Sequence, residues 1–132
     1  MTKLQSALLA TATFALGGAA VSALHAQSNA PYYEVAEINV NDQAGYEASG
    51  VGKVREEQMA NDGITVAGGY NKAHAFTGNA PANRYLIIRY PSKAAAEKHW
   101  NESVSKWWDS EGHKYATFCA IGVEGVEGVE AK

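Results

Sequence analysis

A single cysteine stands in the 132 residues, which excludes an intramolecular disulfide whatever compartment the chain occupies. A basic excess is lacking too: Lys and Arg number 11 against 14 Asp and Glu. Nucleic-acid partners call for a basic patch or stripe, so none is expected. No Gly-x-Ser-x-Gly step marks a serine nucleophile, and no phosphate-binding glycine loop or dinucleotide fingerprint is present. His25, His74, His99 and His113 show no ligand-like spacing, so neither a metal nor a cofactor is expected. After the first residues no further long apolar run follows, which leaves no later candidate for a membrane span.

The first residues are the exception. Lys3 precedes an apolar run from Ala7 to Val21, and small residues follow before Gln27, the layout of a secretory signal peptide. Thr11, Thr13, Gly17 and Gly18 interrupt the run, which falls short of the roughly 20 apolar residues that span a bilayer. Residues 1–26 are therefore read as a signal, cleaved after Ala26 in Leu24-His25-Ala26, with Val21-Ser22-Ala23 as the alternative. The expected product is exported, periplasmic or secreted, and free of the membrane. Lys3 is the only charge lost, so ten Lys and Arg remain against fourteen Asp and Glu, a net charge of −4. What remains suffices for one domain with one modest core, placed at residues 32–124. The Gly-Val-Glu repeat that starts at Gly122 has too little apolar bulk for a core of its own, and residues 125–132 are read as a low-complexity tail.

Tyr32 to Val40 predicts a first strand, with Ala36, Ile38 and Val40 on one face and Tyr33, Val35, Glu37 and Asn39 on the other. Asp42 suits a helix N-cap, and Tyr46, Gly50, Val54 and Gln58 form a helical stripe, with Val51 beside it, that ends near Asn61-Asp62-Gly63. Ile64 to Ala67 opens a second strand, interrupted at Gly68-Gly69 and expected to resume through Tyr70 to Phe76. Arg84 to Tyr90 is the clearest strand, stopped by Pro91. Ser92 caps a second helix on which Ala96, Trp100, Val104 and Trp107 share one apolar face, with a break expected near Asn101 and an end near Gly112. Phe118 to Val123 is the last strand. Cys119, inside it, is read as a small core residue, with a nucleophilic thiol as the weaker alternative. The order strand, helix, strand, strand, helix, strand is the ferredoxin-like split pattern of an α+β domain.

The run Tyr33 to Val40 followed by Asp42 and Tyr46, the paired Gly68-Gly69, and Arg84 to Ser92 leading into Ala94-Ala95-Ala96 and Trp100-Asn101 together resemble the family known as domain of unknown function 1330. The resemblance covers nearly the whole mature chain. It implies a ferredoxin-like βαββαβ fold with an antiparallel sheet that pairs into a dimeric α/β barrel. The chain departs from the family pattern at Tyr70 and His74, where the family places arginines, and at Arg89, where it places an acidic residue. The resemblance supplies a fold and no reaction.

The strand-one face that carries Glu37 and Asn39, together with Tyr85, Ile87 and Arg89, is too rich in aromatic and aliphatic area for a monomer surface, so a homodimer is expected. Glu37 and Arg89 are read as facing one cavity, either as a cross-strand ion pair settled by dimerisation or as a polar anchor for a ligand. His74 would join from strand two as an acid or base. The candidate pocket is thus Glu37, Asn39, His74, Tyr85 and Arg89. Trp100 and Trp107 are assigned to the core, while Trp108, off their stripe, is a candidate for a pocket edge. Three functional readings follow: a protein that binds a small, partly apolar molecule; a cofactor-free oxygenase or isomerase acting on a small aromatic substrate; and a purely structural role.

Overall fold

The computed structural model describes residues 30–126; the leader read as a signal, and all but the start of the tail, lie outside the described residues. Strands β1 (Tyr32–Val40), β2 (Ile64–Tyr70), β3 (Arg84–Tyr90) and β4 (Ala116–Glu124) form one antiparallel sheet in the order β2-β3-β1-β4. Helices α1 (Gln43–Ala48) and α2 (Val51–Ala60) connect β1 to β2. Between β3 and β4 run α3 (Lys93–His99), a π turn over Trp100–Val104, α4 (Ser105–Ser110) and a short 3₁₀ turn over Gly112–Lys114. This is the ferredoxin-like α+β arrangement that the element order predicts.

The alternation of β1 decides which face the helices cover. Glu34, Ala36, Ile38 and Val40 are buried, whereas Val35 and Asn39 are half-buried and Glu37 is exposed. Ala36, Ile38, Val40, Tyr46, Val51 and Ala116 make one core cluster, and Ile88, Tyr90 and Ala96 make a second. Asp42 caps α1 by accepting from the Gly45 N–H at 3.0 Å, and Ser92 caps α3 by accepting from Ala95 at 3.2 Å, as their residue types foretell.

The first helical stretch is not continuous. Gly50 adopts φ +90° and divides it into α1 and α2, a conformation that glycine takes without the Cβ penalty. The Ser49 carbonyl beside the break accepts from the Trp107 indole N–H at 3.1 Å. That bond ties α1 to α4. Trp107 also meets Tyr46 edge-on, ring centroids 5.6 Å apart.

Three further expectations need correction. β2 does not resume after the paired glycines: it ends at Tyr70, and the chain turns at Asn71 with φ 53°. The following loop is closed by Asn71 N–H to Asn83 C=O at 2.7 Å, while the Asn83 carboxamide both accepts from and donates to the Val40 backbone at 2.8 Å. Asn83 thereby satisfies a strand end that β3 does not reach, which leaves residues 71–83 no ladder to join. Cys119 is exposed, because β4 is an edge strand on which Phe118 and Ala120 face the helices and Cys119 faces away. The tryptophans divide differently than expected: Trp107 and Trp108 both pack on the core and border a cavity within it, Trp108 lying 5.2 Å from Phe118, whereas Trp100 stacks on Phe118 at 5.7 Å and borders a separate pocket.

Gly68, at φ +107°, passes directly beneath the Tyr85 carbonyl, and an added Cβ would strike that oxygen. Gly50 has open space around it and only its backbone angle to defend. Gly68→Ala should therefore cost more than about 3 kcal/mol, through both strain and displacement of β2 from β3. Gly50→Ala should cost about 1 kcal/mol. Urea unfolding of the two variants checks the order; equal losses would contradict this account of β2.

Candidate functional site

Four of the five residues expected to share a pocket, Glu37, Asn39, Tyr85 and Arg89, lie on the sheet, but the register separates them. Glu37 lies opposite Tyr85 and Cys119, and Arg89 lies opposite Tyr33 and Ile64. Arg89 is thus four residues along β3 from Tyr85, roughly 13 Å at strand rise. No ion pair joins Glu37 and Arg89 among the described residues. Asn39 is half-buried opposite Thr117. Tyr85 is half-buried, its hydroxyl accepting from the Ala82 N–H at 3.1 Å. His74 is not on strand two: it sits exposed in the loop, edge-on to Phe76 at 5.9 Å. Within one chain these five do not converge.

A different set does converge, on the helix-covered face. Glu34 is 8% exposed, Tyr90 0% and His99 2%. The strand pattern forces Glu34 inward, since it shares the parity of Ala36 and Ile38, and Tyr90 shares a face with Ile88. His99 is the last residue of α3, directly before the π turn, in which the Ser105 N–H reaches back to the Trp100 carbonyl. The wider turn brings His99, Ser103 and Val104 all to the buried side, and such π bulges frequently accompany functional sites.

The three polar groups form one chain of hydrogen bonds. His99 Nε2 lies 3.0 Å from the Val54 carbonyl, His99 Nδ1 lies 2.7 Å from the Tyr90 hydroxyl, and that hydroxyl lies 3.4 Å from Glu34 Oε2. A carbonyl only accepts, so Nε2 carries the hydrogen. Burial raises Glu34 above the ordinary carboxylate value, with the Tyr90 hydrogen bond opposing. Burial lowers His99, the Val54 carbonyl and the Glu57 charge opposing. Tyr90 is pushed upward, first by burial and then by Glu34. The surroundings disfavour charge on every member of the chain.

Beside Glu34 opens a pocket of about 140 Å³. Tyr32 and Glu34 from β1, Ala96, Glu97 and Trp100 from the second helical stretch, and Ala120, Ile121 and Gly122 from β4 border it. Gly122 lies opposite Glu34 in the ladder, and a Cβ there would strike the Tyr32 hydroxyl. The first glycine of the tail repeat therefore leaves room for the Tyr32 ring at the pocket's end. A sequence signal for this site existed: a glutamate at an inward position of β1, and a histidine one residue before the apolar Trp100. Neither was distinguishable from an edge charge and a helix-surface histidine without the register.

Glu34 makes stability depend on pH. Its folded value is raised, so its contribution is complete below the ordinary carboxylate range and is lost as pH rises through the folded value. The Glu34→Gln side chain cannot ionise. The melting temperature of that variant minus that of the wild type should therefore climb as pH rises from the carboxylate range toward the raised value, then level off. Thermal denaturation across that range checks it; a difference that does not change would contradict the burial of Glu34 as an acid.

No family model matches the chain, and no curated protein matches it. Among solved structures, a protein of unknown function from Rhodopseudomonas palustris superposes with a TM-score of 0.57 at 14% identity, over 75% of this chain and 85% of that one. The methylated form of the same protein gives 0.58 at 14%, over 77% and 85%. A proposed monooxygenase from Lactobacillus acidophilus gives 0.48 at 17%, over 73% of this chain and 44% of that one. At 14% identity the likeness to the first two bears on the fold alone, and with the observed sheet and helices it makes the chain an α+β protein of ferredoxin-like architecture.

Proposed function

We propose that this chain binds a small, partly apolar molecule in the pocket beside Glu34 and pairs with a second copy through its open sheet face, as a dimeric α/β barrel of the domain of unknown function 1330 type. One observation carries the ligand reading: a nearly buried carboxyl group borders an otherwise largely apolar pocket and is held from behind by Tyr90 and His99. Ligand sites commonly combine an apolar lining with a few placed polar groups. The volume suits a single ring, since a dry cavity of about 150 Å³ takes benzene. The site on the open face is replaced by this one, and that face is left for association.

The register supports pairing. Ala67, Ile87, Val35 and Ile121 stand in one row across all four strands, and Ile64, Arg89, Tyr33 and Val123 in the next. Ile64 is 58% exposed, as is Ile121. A row of aliphatic side chains crossing a whole sheet is a contiguous patch of the kind that marks an interface. A cofactor-free isomerase or oxygenase is the second reading, favoured by the Glu34, Tyr90 and His99 chain, which could hold or move a proton beside a bound ring. The leader supports export of either product.

Light scattering of the mature protein should give twice the single-chain mass, and Ile87→Asp should return it to the single-chain mass, because the charge would enter an apolar interface at a cost of several kcal/mol. A wild-type monomer at micromolar concentration would sink the pairing. For the pocket, neutral one-ring compounds such as acetophenone should raise the melting temperature. Ala120→Phe, which fills the space, should abolish that rise while the protein stays folded. A shift that survives this substitution places binding elsewhere.

A further inference from the structure

We infer that the pocket selects a small uncharged molecule carrying a carbonyl, or an equivalent hydrogen-bond acceptor, on a single ring, and that it does so by presenting Glu34 as a carboxylic acid. This rests on the reading that the pocket beside Glu34 is a ligand site.

The direction of the hydrogen-bond chain supplies the first reason. The Val54 carbonyl fixes the His99 hydrogen on Nε2, so a neutral ring offers Nδ1 as an acceptor. The Tyr90 hydroxyl has one hydrogen. At 2.7 Å it is committed to His99, against 3.4 Å to Glu34. With that hydrogen turned to His99, the Tyr90 donation to Glu34 Oε2 that would favour a carboxylate is left weak at 3.4 Å, and the phenol lone pairs toward Glu34 suit a protonated carboxyl. The alternative arrangement, with ionised Glu34 and a cationic His99, uses the same number of protons but buries two charges, and burial displaces both groups away from their charged forms.

The pocket wall supplies the second reason. The titratable groups at this pocket and in the chain behind it are Tyr32 on the strand of Glu34, Tyr90 from β3, and Glu97 and His99 from α3, while β4 contributes only Ala120, Ile121 and Gly122 there. Glu34 also borders a second cavity with Tyr46, Arg55 and Arg84, where both arginines are paired with Glu47 at 3.2 and 3.5 Å. Among the described residues no Lys or Arg borders the pocket. Glu97 is paired at 3.6 Å with Lys93, both largely exposed. Among the described residues nothing at the wall bonds an ionised Glu34 other than the weak Tyr90 contact, and a ligand carboxylate would lie among acidic groups where Lys93 is already paired with Glu97. A carbonyl can instead accept the Glu34 hydrogen, exchanging the long 3.4 Å contact with Tyr90 for a bond to the ligand. The ring would rest among Tyr32, Trp100 and Ala120.

Isothermal titration of the mature protein with acetophenone, toluene, benzylamine and benzoate tests this. Acetophenone should bind at least about tenfold tighter than toluene, in keeping with one hydrogen bond in an apolar site. Its affinity should fall as pH is raised from the ordinary carboxylate range through the raised Glu34 value. Glu34→Gln keeps an N–H donor and cannot ionise, so its acetophenone affinity should vary less than threefold over that range. Should that variant fail to fold, the Glu34 carboxyl resonance of the wild type can be followed by NMR, and saturating acetophenone should move its titration to higher pH. Acetophenone binding no tighter than toluene, tighter binding of benzylamine or benzoate, or an unmoved Glu34 titration each overturns the inference while leaving a ligand pocket in place. Failure of all four compounds to bind overturns the pocket reading as well.

Discussion

His99 is the constraint on which the helix-covered side of the fold depends. It projects from the end of α3 into a space that admits almost no solvent, and it meets two elements at once: the Val54 carbonyl of α2 through one ring nitrogen and the Tyr90 hydroxyl of β3 through the other. An imidazole buried without both partners would cost the desolvation of each unmet group. With both, it sets the separation of α2, α3 and the sheet in one contact. The π turn that follows is intelligible on the same ground, because the extra residue in that turn lets Ser103 and Val104 face inward along with His99.

Glu34 belongs to the same constraint. A carboxyl on the core side of β1 has no ionic partner among the described residues and is bonded there by Tyr90, which is itself satisfied by His99. The polar chain crosses the core from helix to sheet and ends where the packing opens beside Trp100 and Gly122. A group that is easier to bury as an acid than as an anion is thus delivered to a pocket wall. Structural satisfaction and a proton-bearing surface inside the pocket are two descriptions of one network.

The opposite face of the sheet follows different rules. Its charges, Glu37 and Arg89, sit in different rows of the ladder, each beside aromatic or aliphatic neighbours rather than beside each other. Their separation turns on the length of β3 and its offset from β1, quantities that parity alone does not contain. The aliphatic row through Ile87 and Val35 needs cover, while the polar ends of the face can remain wet.

Much of the architecture was legible residue by residue. The alternation in β1, the caps at Asp42 and Ser92, the stop at Pro91 and the interruption near Asn101 are local consequences of side-chain chemistry, and each is where the residue types place it. What escaped was decided at a distance. Residues 71–83 form a loop because the β2–β3 ladder closes at Tyr70 and Arg84 while Asn83 bonds the end of β1, Cys119 is exposed because β4 is an edge on which it faces away from the helices, and Glu34 meets His99 across 65 positions of chain through a tyrosine on a third element. Periodicity tells which way a side chain points along one strand, and so the sequence alone determined the inward face of β1, the helix caps and the order of elements along the chain. Which inward-pointing polar groups touch one another depends on register and helix placement, and only the folded chain decided that.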